Sequence, residues 1–180
     1  AEREFILYAT DTGTGLFCAR ILKAHLEDKG YRVREPITLK GFGLGYDFFE
    51  EALTSVMDTV AKTVSKAEGK VYLNATGGFK PETTFAVIAA LLYGVRAVYY
   101  VHESFQDVVI LPAPPLQIDS KYLNGLKQIG VEGKQKYVLM DLLGWDEHKI
   151  NELIERQLVE LRSGKIVLGK WVKPLFQNIF

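Results

Sequence analysis

The chain has 180 residues, 48% hydrophobic and 24% charged, with 22 Lys/Arg against 22 Asp/Glu. This bounds it as an ordinary soluble globule with a real core. A single cysteine, Cys18, excludes an internal disulfide framework and argues against a cysteine zinc site. No apolar run approaches the ~18–20 residues of a membrane span. Nor does any signal-peptide pattern follow Arg3 and Glu4, so a cytoplasmic address is expected, with neither metal nor cofactor.

Phe5 to Ala9 predicts a buried strand, which runs into Thr10-Asp11-Thr12-Gly13-Thr14-Gly15 and then a helix from Leu16 to Lys29. Three threonine hydroxyls and two glycines in this loop can donate to ligand oxygens. Tyr31 to Leu39 reads as a second strand, interrupted at Pro36, and Gly41 to Gly45 as a flexible loop. Phe49, Leu53, Val56, Val60 and Val64 fall on one stripe of a helix over 46–66. Val71 to Ala75 is the third strand. It leads through Asn74, Thr76, Gly77, Gly78, Phe79 and Lys80 into an apolar helix from Pro81 to Tyr93, capped by Gly94.

This second loop is the outline of an anion site. Glycines admit positive φ and close backbone approach, a helix N-terminus offers unpaired N–H groups, and Lys80 adds a full charge. Neither loop has the Gly-x-x-x-x-Gly-Lys-Ser/Thr of a phosphate loop, and Gly13-Thr14-Gly15 lacks the third glycine of the dinucleotide fingerprint.

Ala97 to Val101 and Val108 to Leu111 complete five strands. Their alternation with helices predicts an α/β fold, a doubly wound, mainly parallel, Rossmann-like sheet of order 2-1-3-4-5. In that order the two loops follow neighbouring strands at the switch point, where ligands of open α/β sheets bind. Pro112-Ala113-Pro114-Pro115 marks a boundary, giving a ligand-binding domain over 1–118 and a small module over 119–180. The module reads as helices over 136–143 and 146–162, then a hairpin turning at Ser163-Gly164, a helical or winged-helix-like outline. The charged stripe Asp146, Glu147, Lys149, Glu152, Glu155 and Arg156 reads as a solvated helix face. Residues 1–119 carry 12 Lys/Arg against 15 Asp/Glu and residues 120–180 carry 10 against 7, a mild asymmetry.

Asn74-Ala75-Thr76-Gly77-Gly78-Phe79-Lys80-Pro81, then Tyr99-Tyr100-Val101-His102-Glu103 and Leu111-Pro112-Ala113-Pro114-Pro115-Leu116, resemble the CRISPR-associated Rossmann-fold (CARF) family, in its branch of type III CRISPR sensors and ring nucleases. The resemblance covers roughly residues 4–118. The first loop departs from the commoner Thr-x-Gly-Thr-Ser pattern, with Gly15 where a serine often stands.

The resemblance implies a homodimer that binds a cyclic oligoadenylate, of four or six adenylates. Thr10, Asp11, Thr12, Gly13, Thr14 and Gly15, with Asn74, Thr76, Gly77, Gly78, Phe79, Lys80, Glu82 and Thr83, would be the ligand-binding set. Some relatives open the ring without a metal, by attack of a 2′-OH on the neighbouring phosphate. Lys80 suits charge stabilisation in that reaction and His102 acid or base work. Two other readings stay open: a ligand-controlled winged-helix regulator that binds DNA, and the sensor fragment of a longer effector ribonuclease.

Overall fold

The computed structural model describes residues 3–42, 45–78, 80–102, 104, 106–114, 116–173 and 176. Phe79, Glu103, Phe105 and Pro115, among the residues singled out above, lie outside that set. The chain forms two compact units, 1–59 and 60–180.

In the first unit, β1 (Glu4–Phe5) pairs in parallel with β3 (Arg32–Val33), and β2 (Tyr8–Thr10) with β4 (Ile37–Leu39). The expected first strand is thus broken in two, and so is its partner. Pro36 explains both breaks, because it has no N–H to donate. Arg34 N–H reaches Phe5 O (2.9 Å), but Leu7 O is met by Ile37 N–H (2.8 Å), so three residues on one strand oppose two on the other. The crossover is α1 (Gly13–Asp28), which starts three residues before the expected Leu16 because Thr12 caps it. Ala19 faces inward, whereas Cys18 is exposed beside Phe17 on the outer face.

The helix α2 (Phe49–Ser65) follows a short 3₁₀ turn, Tyr46–Phe48. Its buried stripe is Ala52, Val56, Met57, Val60 and Ala61, with Phe49, Leu53 and Val64 at the margins.

In the second unit, β5 (Tyr72–Asn74) and β6 (Ala97–Val101) are parallel and joined by α3 (Lys80–Leu92). The strand β7 (Val108–Leu111) is antiparallel to β6, which corrects the expectation of a parallel fifth strand. The reason is length: residues 102–107 are too few for a crossover, which needs about a dozen, so the chain turns back as a hairpin. The helix α3 is also less enclosed than its composition suggests, since Lys80, Thr84 and Ile88 form an exposed stripe.

Beyond the proline-rich stretch come α4 (Ser120–Ile129), β8 (Lys134–Gln135), α5 (Lys136–Leu143), α6 (Glu147–Glu155), β9 (Val159–Arg162) and β10 (Lys165–Leu168). The expected hairpin is present, with left-handed Ser163 and Gly164 at its turn, and β8 adds to it in the order β8-β10-β9. The helix expected to run to Arg162 stops at Glu155, and Gln157 (φ 56°) turns the chain into β9. The helix α4 was not expected. Its only cues are Asp119, whose carboxylate caps it, and the spacing of Tyr122, Leu126 and Ile129, with Gly125 falling between them. Gly125 is required there: the Trp145 ring occupies the place of a side chain.

Leu126, Ile129, Leu139, Ile150, Leu153, Ile166 and Leu168 form one core within this segment. Lys149 and Glu152, expected on a solvated face, instead pack on α4. Tyr122 Oη donates to Glu152 Oε1 (2.6 Å), Lys149 Nζ bonds Glu152 Oε2 (2.7 Å), and Lys149 Nζ stands 4.1 Å from the Tyr122 ring centroid. Lys149, then Tyr122, hold the Glu152 carboxyl down at about 2. Among the described residues no helix is long and apolar enough to cross a membrane, and no cluster of His, Cys, Asp and Glu would hold a metal ion.

Candidate functional site

The loop after β5 is held from within. Asn74 Oδ1 accepts from Thr76 N–H (3.0 Å) and from the Thr76 hydroxyl (2.6 Å). The same hydroxyl oxygen accepts from Val101 N–H (2.8 Å), which ties the loop to the carboxyl end of β6. Gly77 O accepts from the Thr83 hydroxyl (3.1 Å). Gly78 has φ 105°, and a Cβ there would stand 3.0 Å from Thr83 Oγ1, so the position needs glycine twice over.

Lys80, the first residue of α3, is exposed and has no ion pair among the described residues. Gly77 and Gly78 are exposed beside it. Glu82, in the same helical turn, is only 9% exposed. An acidic side chain in the first turn complements the helix dipole. It also puts a negative charge into the loop, so the attraction for an anion rests on Lys80 and the exposed glycine backbone.

An open cleft of ≈290 Å³ lies at the carboxyl ends of β5 and β6, lined by Ala75, Thr76, Tyr100, Val101, His102 and Ser104. His102 follows β6 directly. Its Nδ1 accepts from Ser104 N–H (3.2 Å), so a neutral ring carries its proton on Nε2. Its backbone closes the hairpin, with His102 N–H to Asp107 O at 2.9 Å and Gln106 N–H to His102 O at 2.8 Å. Ser104 carried no expectation from the sequence, and its contribution is a backbone N–H, which leaves no residue-type signature. A larger concavity of ≈580 Å³ opens at the other end of these strands, around Lys70, Tyr93, Gly94 and Arg96. It lies beyond the amino ends of β5 and β6, away from the glycine loop.

The loop after β2 is also self-bonded. Thr12 Oγ1 caps α1 by accepting from Gly15 N–H (3.1 Å) and pairs with the Thr10 hydroxyl (3.0 Å). Asp11 accepts from Gly41 N–H (2.7 Å) and its own N–H reaches Leu39 O (3.1 Å). That long-range link to Gly41, 30 residues away, had no sequence signal. Gly13 and Thr14 are the exposed members of the loop. Gly15 is backed by the Thr10 and Thr12 hydroxyls, in the space a serine Cβ would need.

The family model of a CRISPR-associated protein, Cas_APE2256, matches residues 1–114, more than half of the chain. The chain belongs to that family. The CRISPR association expected from the Asn74–Pro81 and Tyr99–Glu103 segments is thereby borne out. Among solved structures, protein VC1899 from Vibrio cholerae is similar to this chain at 12% identity and a TM-score of 0.49, over 99% of this chain and 58% of that one. Can2 from Sulfobacillus thermosulfidooxidans, solved in complex with cyclic tetra-adenylate, is similar at 12% identity and 0.43, over 97% and 56%. The chain thus spans less than two thirds of either protein.

Proposed function

We propose that this CRISPR-associated chain is a CARF-type receptor for a cyclic oligoadenylate, acting as a homodimer. The observation that carries the reading is the Asn74–Thr83 loop. It sets an exposed ammonium, Lys80, and exposed glycine backbone next to a cleft at the carboxyl ends of two parallel strands, where α/β sheets take their ligands. Gly13 and Thr14 supply a second set of donors to the same ligand class, with Thr10, Asp11, Thr12 and Gly15 shaping that loop. Asn74, Thr76 and Thr83 shape the loop after β5, and Phe79 and Glu82 complete the set. A ring of identical nucleotides has rotational symmetry, which a two-fold pair of subunits matches by presenting each loop twice. The doubly wound reading is supported, unit by unit, by the parallel β2–β4 pair with its crossover α1 and the parallel β5–β6 pair with its crossover α3.

Ring opening is the second reading, favoured by the His102 tautomer. A 2′-OH attacks the neighbouring phosphorus, the P–O5′ bond breaks, and a 2′,3′-cyclic phosphate and a 5′-OH result. The Nε2–H of the neutral ring would hydrogen-bond the departing 5′-oxygen, which takes a proton from solvent as the 2′-OH proton passes to solvent. Lys80 would stabilise the charge on the phosphoryl oxygens.

The C-terminal segment 119–180 is proposed as a winged-helix-like module, on its order of helix, short strand, two helices and hairpin. Its α6 exposes Glu147, His148, Asn151 and Glu155, an acidic surface that a phosphate backbone would disfavour, which weakens the DNA-regulator alternative.

The test is incubation with cyclic tri-, tetra- and hexa-adenylate in EDTA, with calorimetry for binding and chromatography with mass detection for products. Tight binding of one ring is expected. Lys80→Ala should weaken it about 10–100-fold, the ~1.5–3 kcal/mol of a charge-assisted contact. Linear products ending in 2′,3′-cyclic phosphate, lost in His102→Ala, support ring opening. Binding without turnover leaves a receptor alone, and no interaction with any ring overturns the proposal.

A further inference from the structure

Among the described residues the strand β7 is the edge of the β5-β6-β7 sheet, and its sequence is Val108-Val109-Ile110-Leu111, with no charged residue to discourage pairing. The hydrogen bond from His102 N–H to Asp107 O sets the phase of the hairpin. Hydrogen-bonded pairs recur every second residue, so Tyr100–Val109 and Val98–Leu111 are the bonded pairs. Val108 and Ile110 therefore turn their N–H and C=O groups away from β6. Their side chains are exposed as well, at 60% and 69%.

We propose that this edge pairs antiparallel with β7 of a second copy of the chain, and that only one register is open to it. The outward groups of both residues are used when Val108 lies opposite the second copy's Ile110, and Ile110 opposite its Val108, about a two-fold axis through Val109. Four backbone hydrogen bonds then form, and two β-branched cross-strand pairs stack beside them. A shift by two residues one way pairs Ile110 with Gln106, which is left-handed (φ 52°) and outside the strand. A shift the other way brings in Pro112, which has no N–H. The left-handed residue and the proline bracket the edge. Self-complementarity is what selects a second copy of this chain over an unrelated peptide, because the same four residues supply both halves of every bond.

This inference does not rest on the ligand reading. An antiparallel β7 pair also runs the two copies of β6 in opposite directions, so the His102 clefts point apart. The contact is therefore separate from any two-fold pairing that presents both clefts to one ring.

Sedimentation and light scattering without any nucleotide test it. The wild-type chain should associate with rising concentration, and Ile110→Lys should halve its mean mass while keeping the circular dichroism and melting curve, because residue 110 is exposed. In a Cys18→Ala background, Val109→Cys should form a covalent dimer on mild oxidation, since antiparallel non-bonded partners stand about 4.5 Å apart at Cα. A monomeric wild type overturns the proposal. So does a mass unchanged in Ile110→Lys.

Discussion

Gly15 shows how one missing side chain organises a loop. Its amide donates to Thr12 Oγ1, and the Thr10 and Thr12 hydroxyls fill the space where a Cβ would project. Gly15→Ala should therefore cost about 1–3 kcal/mol, the usual penalty of overpacking a tight site. Chemical denaturation would show it as a lower midpoint at unchanged slope. A variant as stable as the wild type would mean that Thr10 gives way freely. The Thr10 and Thr12 hydroxyls thus occupy the room a side chain would need at the position where the resemblance leads one to expect a serine. The sequence exposed the departure but not this packing, because the Thr10–Thr12 hydroxyl pair is a relation between side chains, not a pattern of residue types. The same limit hid the Asp11–Gly41 link and the part Ser104 plays in orienting His102.

Among the elements, legibility followed the strength of local signals. Strands β5, β6 and β7 and helices α2, α3 and α5 stood within a few residues of where periodicity and glycine placed them. What failed was whatever depended on a partner. The helix α4 is polar, and its apolar side has meaning only against Leu139, Ile150 and Trp145. The direction of β7 depended on the length of a turn, and the break in β1 and β2 on a proline in the opposite strand. The contact of α4 with α6 carries a pH signature. The Glu152 carboxyl is held at about 2, below its ordinary 4.5, by Lys149, Tyr122 and Arg156. A depressed carboxylate contributes stability that is present above about pH 4.5 and is lost as pH falls toward 2. Melting temperatures measured between pH 5 and pH 2.5 should fall more steeply for the wild type than for Glu152→Gln. Parallel curves would assign the acid sensitivity to other carboxylates.

At the scale of the whole molecule, the core formed by Leu126, Ile129, Leu139, Ile150, Leu153, Val159, Ile166, Leu168 and Val172 draws on residues of the C-terminal segment. The proline-rich stretch at 112–115 precedes it in the chain. A fragment covering 116–180 should therefore unfold cooperatively and show dispersed amide resonances. A collapsed fragment with narrow dispersion would tie this core to the rest of the chain. The two glycine loops were legible as motif and spacing. The internal bonding that shapes each loop was not.

The Thr76 hydroxyl has one proton and gives it to Asn74, while its lone pair takes the Val101 amide. The turn that faces the cleft is in this way braced before any visitor arrives. Under the proposed function, a phosphate arriving there would find little left to immobilise, because the entropy that a floppy glycine segment would forfeit on contact has already been surrendered during folding.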